Sequence, residues 1–178
     1  MDIPLLVNIT SKAWSLKILA CLDAGVPGRQ ALLVAAIGAS RSSFTSSLNH
    51  LVQLGMLERN PGHGHPLRPE FRLTATGKKA AAMAGRIVKA VPDDNAFAVV
   101  RRSWSVPVLA LTTTPKRFTA IKSGLTPITD RALSRSLVVL EETNWLKRDI
   151  DLFRRAPVPV YHAVNTGQEI SQAVGLLR

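Results

Sequence analysis

The stretch "WSLKILACL" at residues 14–22 returns as "WSVPVLALT" at 104–112, an offset of 90, and "FRLTATG" at 71–77 returns as "YHAVNTG" at 161–167 with the same offset. Between them, "SRSSFTSSLNHLVQLGMLER" at 40–59 shares its frame with "TDRALSRSLVVLEETNWLKR" at 129–148, displaced by 89. "GRQALLVAAIGAS" at 28–40 aligns with "KRFTAIKSGLTPIT" at 116–129 across small insertions and deletions. Four blocks in one order describe two copies of a small domain, since the spacing is far longer than the roughly 20–50 residues of a solenoid unit. The joint falls in "VPDDNA" at 91–96, where Pro92 interrupts helix and Asp93-Asp94 make a solvated turn or a new N-cap. The domains are therefore drawn at residues 1–90 and 91–178.

Hydrophobic spacing and turn residues give each copy one order: helix, short helix, capped helix, β-hairpin, further helix. In the first copy these are expected near 12–24, 29–37, 41–54, strands 57–60 and 69–74, and 76–90. In the second they are expected near 101–112, 117–124, 130–143, strands 146–151 and 158–164, and 167–177. The expected class is mostly α with small β-hairpins (α+β): two tandem winged helix-turn-helix domains forming a pseudo-dimer.

The third helix of each copy carries the functional signal. At about 100° per residue, Leu133, Leu137, Leu140 and Asn144 share one sector and Arg131, Arg135 and Val138 lie opposite. In the first copy Phe44, Leu48 and Leu51 form the stripe, so Arg41, Ser42, Thr45, Ser46, Asn49 and His50 turn outward, with Ser40 and Thr129 as caps. Arginine one turn apart can reach guanine or flanking phosphate in a major groove, and asparagine can pair with adenine. Arg29, Lys116, Arg117 and Lys122 at the short helices, with Arg68, Arg154 and Arg155 in the hairpin loops, are candidates for the phosphate backbone.

Charge agrees with a polyanionic partner. The net charge of +11 divides into 11 basic against 4 acidic residues up to residue 90, and 12 against 8 beyond it. No run approaches the ~18 apolar residues of a membrane span, and an acidic residue stands where a signal peptide would be basic, so no membrane partner is expected and the location is read as cytoplasmic and nucleoid-associated. The lone Cys21 reads as a buried inert thiol, and Trp14 and Trp104 as core residues. "HGH" at 63–65 lacks a cysteine or carboxylate to complete a tetrahedral metal site and reads as a flexible wing tip. Adjacent Glu141 and Glu142 point about 100° apart, and no catalytic constellation or cofactor motif is seen, so neither an enzyme nor a cofactor is expected.

The second half, through "WSVPVLALTTTPKRFTAIKSGLTPITDRALSRSLVVLEETNWLKRD" and "APVPVYHAVNTGQEI", resembles the HxlR-type transcriptional regulators over about 70 residues. The first half is a looser relative, equally MarR-like, that keeps Trp14, "GMLER" and "FRLTATG" but not the Arg-Phe turn. The resemblance implies double-stranded DNA as partner and Lys116, Arg117, Arg131, Ser134, Arg135, Arg154 and Arg155 as its contacts. It also implies pairing of single-domain chains through terminal helices. Two copies in one polypeptide depart from that pattern and suggest a covalent pseudo-dimer, with a homodimer of tandem domains or a protein partner left open. Cys21 lies inside a helix rather than at the N-terminus, so redox sensing is not carried over.

The expected function is sequence-preferring DNA binding in transcriptional regulation, with unequal readers on an imperfect palindrome. Two alternatives are replication or partition on a plasmid or phage, and a tandem winged-helix adaptor between proteins. The basic charge of both halves disfavours the adaptor.

Overall fold

The computed structural model describes residues 2–60, 69–151 and 157–175, in two compact units: residues 12–89, and residues 1–11 together with 90–178. Each has the order of elements the repeat calls for, mostly helical with small antiparallel sheets.

The unit of residues 12–89 starts with α2 (Ser15–Asp23), which packs on α3 (Gln30–Ile37) and α4 (Arg41–Gln53). Gly38 ends α3 in a left-handed conformation (φ 71°), where a glycine carries no Cβ penalty. The Ser40 hydroxyl then accepts from the Ser43 amide at 3.4 Å and starts α4. Burial of Leu16, Leu19, Leu33, Ile37, Phe44, Leu48 and Leu51 joins the three helices. Strands β1 (Leu57–Arg59) and β2 (Phe71–Leu73) pair antiparallel and lead to α5 (Ala75–Ala90).

In the other unit α6 (Asp94–Val100) leads to α7 (Ser105–Leu111), β3 (Lys116–Arg117), α8 (Phe118–Gly124) and α9 (Asp130–Glu142). The longer hairpin β4 (Leu146–Asp151) and β5 (Val158–Ala163) follows, then α10 (Asn165–Val174), which packs on α7. β3 adds to the hairpin as a third antiparallel strand in the order β3-β5-β4, with Lys116 opposite Tyr161 and Arg117 opposite Val160. The counterpart in the first copy is a single bridge between Arg29 and Glu70.

The Gly that closes "FRLTATG" and "YHAVNTG" has a steric reason in each copy. A Cβ at Gly77 would overlap the Met56 carbonyl, and one at Gly167 the Trp145 carbonyl, so the first turn of the last helix crosses the start of the hairpin backbone to backbone.

Three elements go beyond the sequence reading. α1 (Ile3–Thr10) is capped by Asp2, whose carboxylate accepts from the Leu5 amide at 2.9 Å. It packs on α7, burying Leu6 and Ile9, and the Thr10 hydroxyl donates to the Ser103 carbonyl at 2.8 Å. α6 is the second, and its cap is Asp93, accepting from the Ala96 amide at 2.7 Å; of the two readings of "VPDDNA" the N-cap is the one observed. The third is β3, too short to leave a pattern.

Two expectations change. Asn144 is exposed with φ 55°: it is the left-handed residue just past the end of α9 and not part of its buried stripe, which ends at Leu140. Trp14 and Trp104 stand at the N-caps of α2 and α7 and are half-buried, and the fully buried residues of each helix begin one position later, at Ser15 and Ser105.

Candidate nucleic-acid interface

The outward face of α9 is built by what the helix buries. Leu133, Leu137 and Leu140 are held in the core, which turns Arg131, Ser134, Arg135 and Val138 to solvent, Val138 with 51% of its surface exposed. The Thr129 hydroxyl accepts from the Ala132 amide at 3.2 Å and fixes the first turn. Neither Arg131 nor Arg135 has an ion-pair partner among the described residues. Their guanidinium donors face outward one turn apart, as a phosphate or a guanine edge requires.

The other cations of this unit divide in two. Lys116 is exposed on β3. Arg117 is half-buried, reaching past the middle strand to Asp151 at the end of β4 with 3.1 Å between Nη2 and Oδ2. It joins the two outer strands of the sheet and so orients the hairpin. Lys122 pairs with Asp130 at 2.6 Å, which ties α8 to the first residue of α9 in a solvent-exposed ion pair. Asp151 and Asp130 are the partners that sequence reasoning missed; only the tertiary arrangement brings them to these cations.

The corresponding face of α4 has the same frame and different chemistry. Phe44, Ser47, Leu48 and Leu51 are buried, and Arg41, Ser42, Ser46 and Asn49 are exposed. Thr45 is half-buried, its hydroxyl donating to the Arg41 carbonyl at 2.8 Å. Ser47 looks inward, donating to the Ser43 carbonyl at 3.0 Å and accepting from the Trp14 amide at 3.3 Å, so it locks α4 to the start of α2. Arg29 is exposed at the N-cap of α3 and, with Arg41 and Thr45, borders one cavity. On the hairpin Arg72 is paired with Glu58 at 2.7 Å.

Arg68, Arg154 and Arg155, and the "HGH" at 63–65, lie outside the described residues. No group of His, Cys, Asp or Glu that could hold a metal ion occurs among the described residues. Cys21 is half-buried rather than buried, and burial raises its pKa above the ordinary thiol value, with Lys17 partly opposing. No single helix among the described residues is long and apolar enough to cross a membrane.

Three packed helices, a capped third helix with a polar outer face, and a hairpin beside it define a winged helix-turn-helix, and the chain carries two. The model of the HxlR-like helix-turn-helix family matches it twice, over residues 9–93 and 99–178. The protein belongs to the HxlR-like helix-turn-helix family, and is thereby a DNA-binding transcription regulator with double-stranded DNA as its partner. No curated protein sequence matches it significantly.

Proposed function

We propose that the two repeats, residues 1–90 and 91–178, act as a covalent pseudo-dimer that reads an imperfect palindrome, each third helix entering one of two successive major grooves. The observation that carries this is the pair of unlike outward faces: Arg131, Ser134 and Arg135 on α9 against Ser42, Thr45, Ser46 and Asn49 on α4. The arginine face favours guanine or phosphate, and the serine-asparagine face favours adenine or mixed contacts, so the half-sites are unequal.

Arg29, Arg41, Lys116 and the hairpin arginines Arg68, Arg154 and Arg155 supply phosphate neutralisation, and affinity falls steeply with salt. Lys122 and Arg117 contribute mainly by holding α8 and the hairpin in place through Asp130 and Asp151.

Selection of bound duplexes from random DNA, followed by footprinting, tests the reading. The expected outcome is a two-part site with different halves about one helical turn apart. Arg135→Ala relaxes base preference in one half at a cost of about 1–3 kcal/mol. A symmetric site, or uniform weakening on every sequence, would count against base reading by α9.

A further inference from the structure

Beside α4 the first copy has an opening that its charge and lining suit to a small ligand. A cavity of about 850 Å³, within the range of roughly 300–1,000 Å³ typical of small-molecule sites, lies among α3, the first turns of α4 and Pro69. Leu32, Val34, Phe44 and Pro69 give it an apolar wall, and Arg29 and Arg41 give it two guanidinium groups. No acidic residue lines it among the described residues, and neither arginine has an ion-pair partner there. Leu32 keeps 45% of its surface exposed, one of few large apolar side chains left so open.

The two copies differ in sequence at the residues that border this opening. Arg29 and Arg117 both stand at the N-cap of the second helix beside the hairpin, and the next residue is Gln30 in the first copy but Phe118 in the second. A flexible amide thus lines the cavity at the position where the other copy has an aromatic ring. Gly28, in place of Lys116, is required because any Cβ would overlap the Phe71 carbonyl.

We infer that this cavity binds a small amphiphilic organic anion, an apolar ring or short chain bearing one carboxylate or sulfonate, and that the anion and DNA exclude each other at the first copy. An apolar lining that also includes two arginines matches such a molecule, and the cavity volume suits a drug-sized body rather than a macromolecule. Arg41 and Thr45 belong both to the cavity and to the outward face of α4, so an occupied cavity withdraws them from the duplex. The exclusion rests on the DNA reading proposed above; the binding of the anion does not.

Anilinonaphthalene sulfonate is a suitable probe, titrated into the full-length chain without DNA. Saturable binding at one dye per chain is expected. Leu32→Glu, at an exposed position that leaves the core intact, is expected to weaken it about tenfold or more by placing a charge against the apolar body. Arg29→Gln with Arg41→Gln weakens it with the apolar wall unchanged, and covers the case in which Leu32→Glu fails to fold. Ile150→Glu, at an exposed apolar residue of the other unit, leaves binding unchanged. Equal loss from Ile150→Glu, or none from either cavity variant, overturns the site. At low salt an excess of duplex displaces the dye; dye retained on a chain shown by mobility shift to hold duplex overturns the exclusion. A chain that takes up dye but no duplex at any salt supports the cavity and removes the DNA reading.

Discussion

α4 and α9 share a frame, a hydroxyl cap and a buried stripe, yet Ser42 and Ser46 occupy the outward positions that Arg131 and Arg135 hold in the other copy. The same contrast runs through the neighbouring helices, where α3 exposes Ala31, Leu32, Ala35 and Ala36 while α8 exposes Thr119, Ala120, Lys122 and Ser123. What the core demands is alike in both copies: small residues where backbones cross, leucines on one side, a cap at the start. What faces solvent is set by none of those demands, and that is where the copies part.

The largest effect should come from what they share. Gly77→Val and Gly167→Val each force a side chain into a carbonyl and should destabilise their own unit by about 3 kcal/mol or more, read by denaturant unfolding. Tolerance at one site only would show that the helix-hairpin crossing is not equivalent in the two copies. Next come the outward faces. Arg131→Ala with Arg135→Ala should weaken the half-site read by α9 by about 1–3 kcal/mol per lost base contact. Ser42→Arg with Ser46→Arg should instead steepen the salt dependence of binding, by about 0.9 in logarithmic slope for each phosphate newly met. An unchanged slope would mean that α4 does not approach the duplex.

Smaller again is the loss of a cap. Ser40→Ala and Thr129→Ala should each cost about 1 kcal/mol, and a clear inequality between them would separate the two helices energetically. The least is expected of Asp130→Asn, which opens the ion pair with Lys122 and should change thermal stability by less than about 1 kcal/mol.

The capped helices and hairpins were legible because their signals are local. Leucines at three- and four-residue spacing, Ser40 and Thr129 before them and Gly55 after, all act within a turn or two of chain. The outward positions of Arg131, Arg135, Ser42 and Asn49 followed from the same geometry. α1 was not legible: "IPLLVNIT" is apolar almost all round, with no polar stripe to mark a helical period, and its partner α7 is about a hundred residues away. α6 is only seven residues long, and β3 exists through pairing with β5. The cavity was hidden for a related reason, since Leu32 and Phe44 look like ordinary core residues until the helices are placed.

The placement of α1 has a practical consequence for anyone who cuts the chain. Leu6 and Ile9 are buried in the unit that otherwise begins at residue 90, so the polypeptide leaves that unit near residue 11 and re-enters it near residue 90. A fragment starting at the repeat boundary would lose a helix from its own interior, and the complementary fragment would carry that helix with its greasy side uncovered. The repeat visible in the letters and the piece that can be excised intact are therefore not the same object.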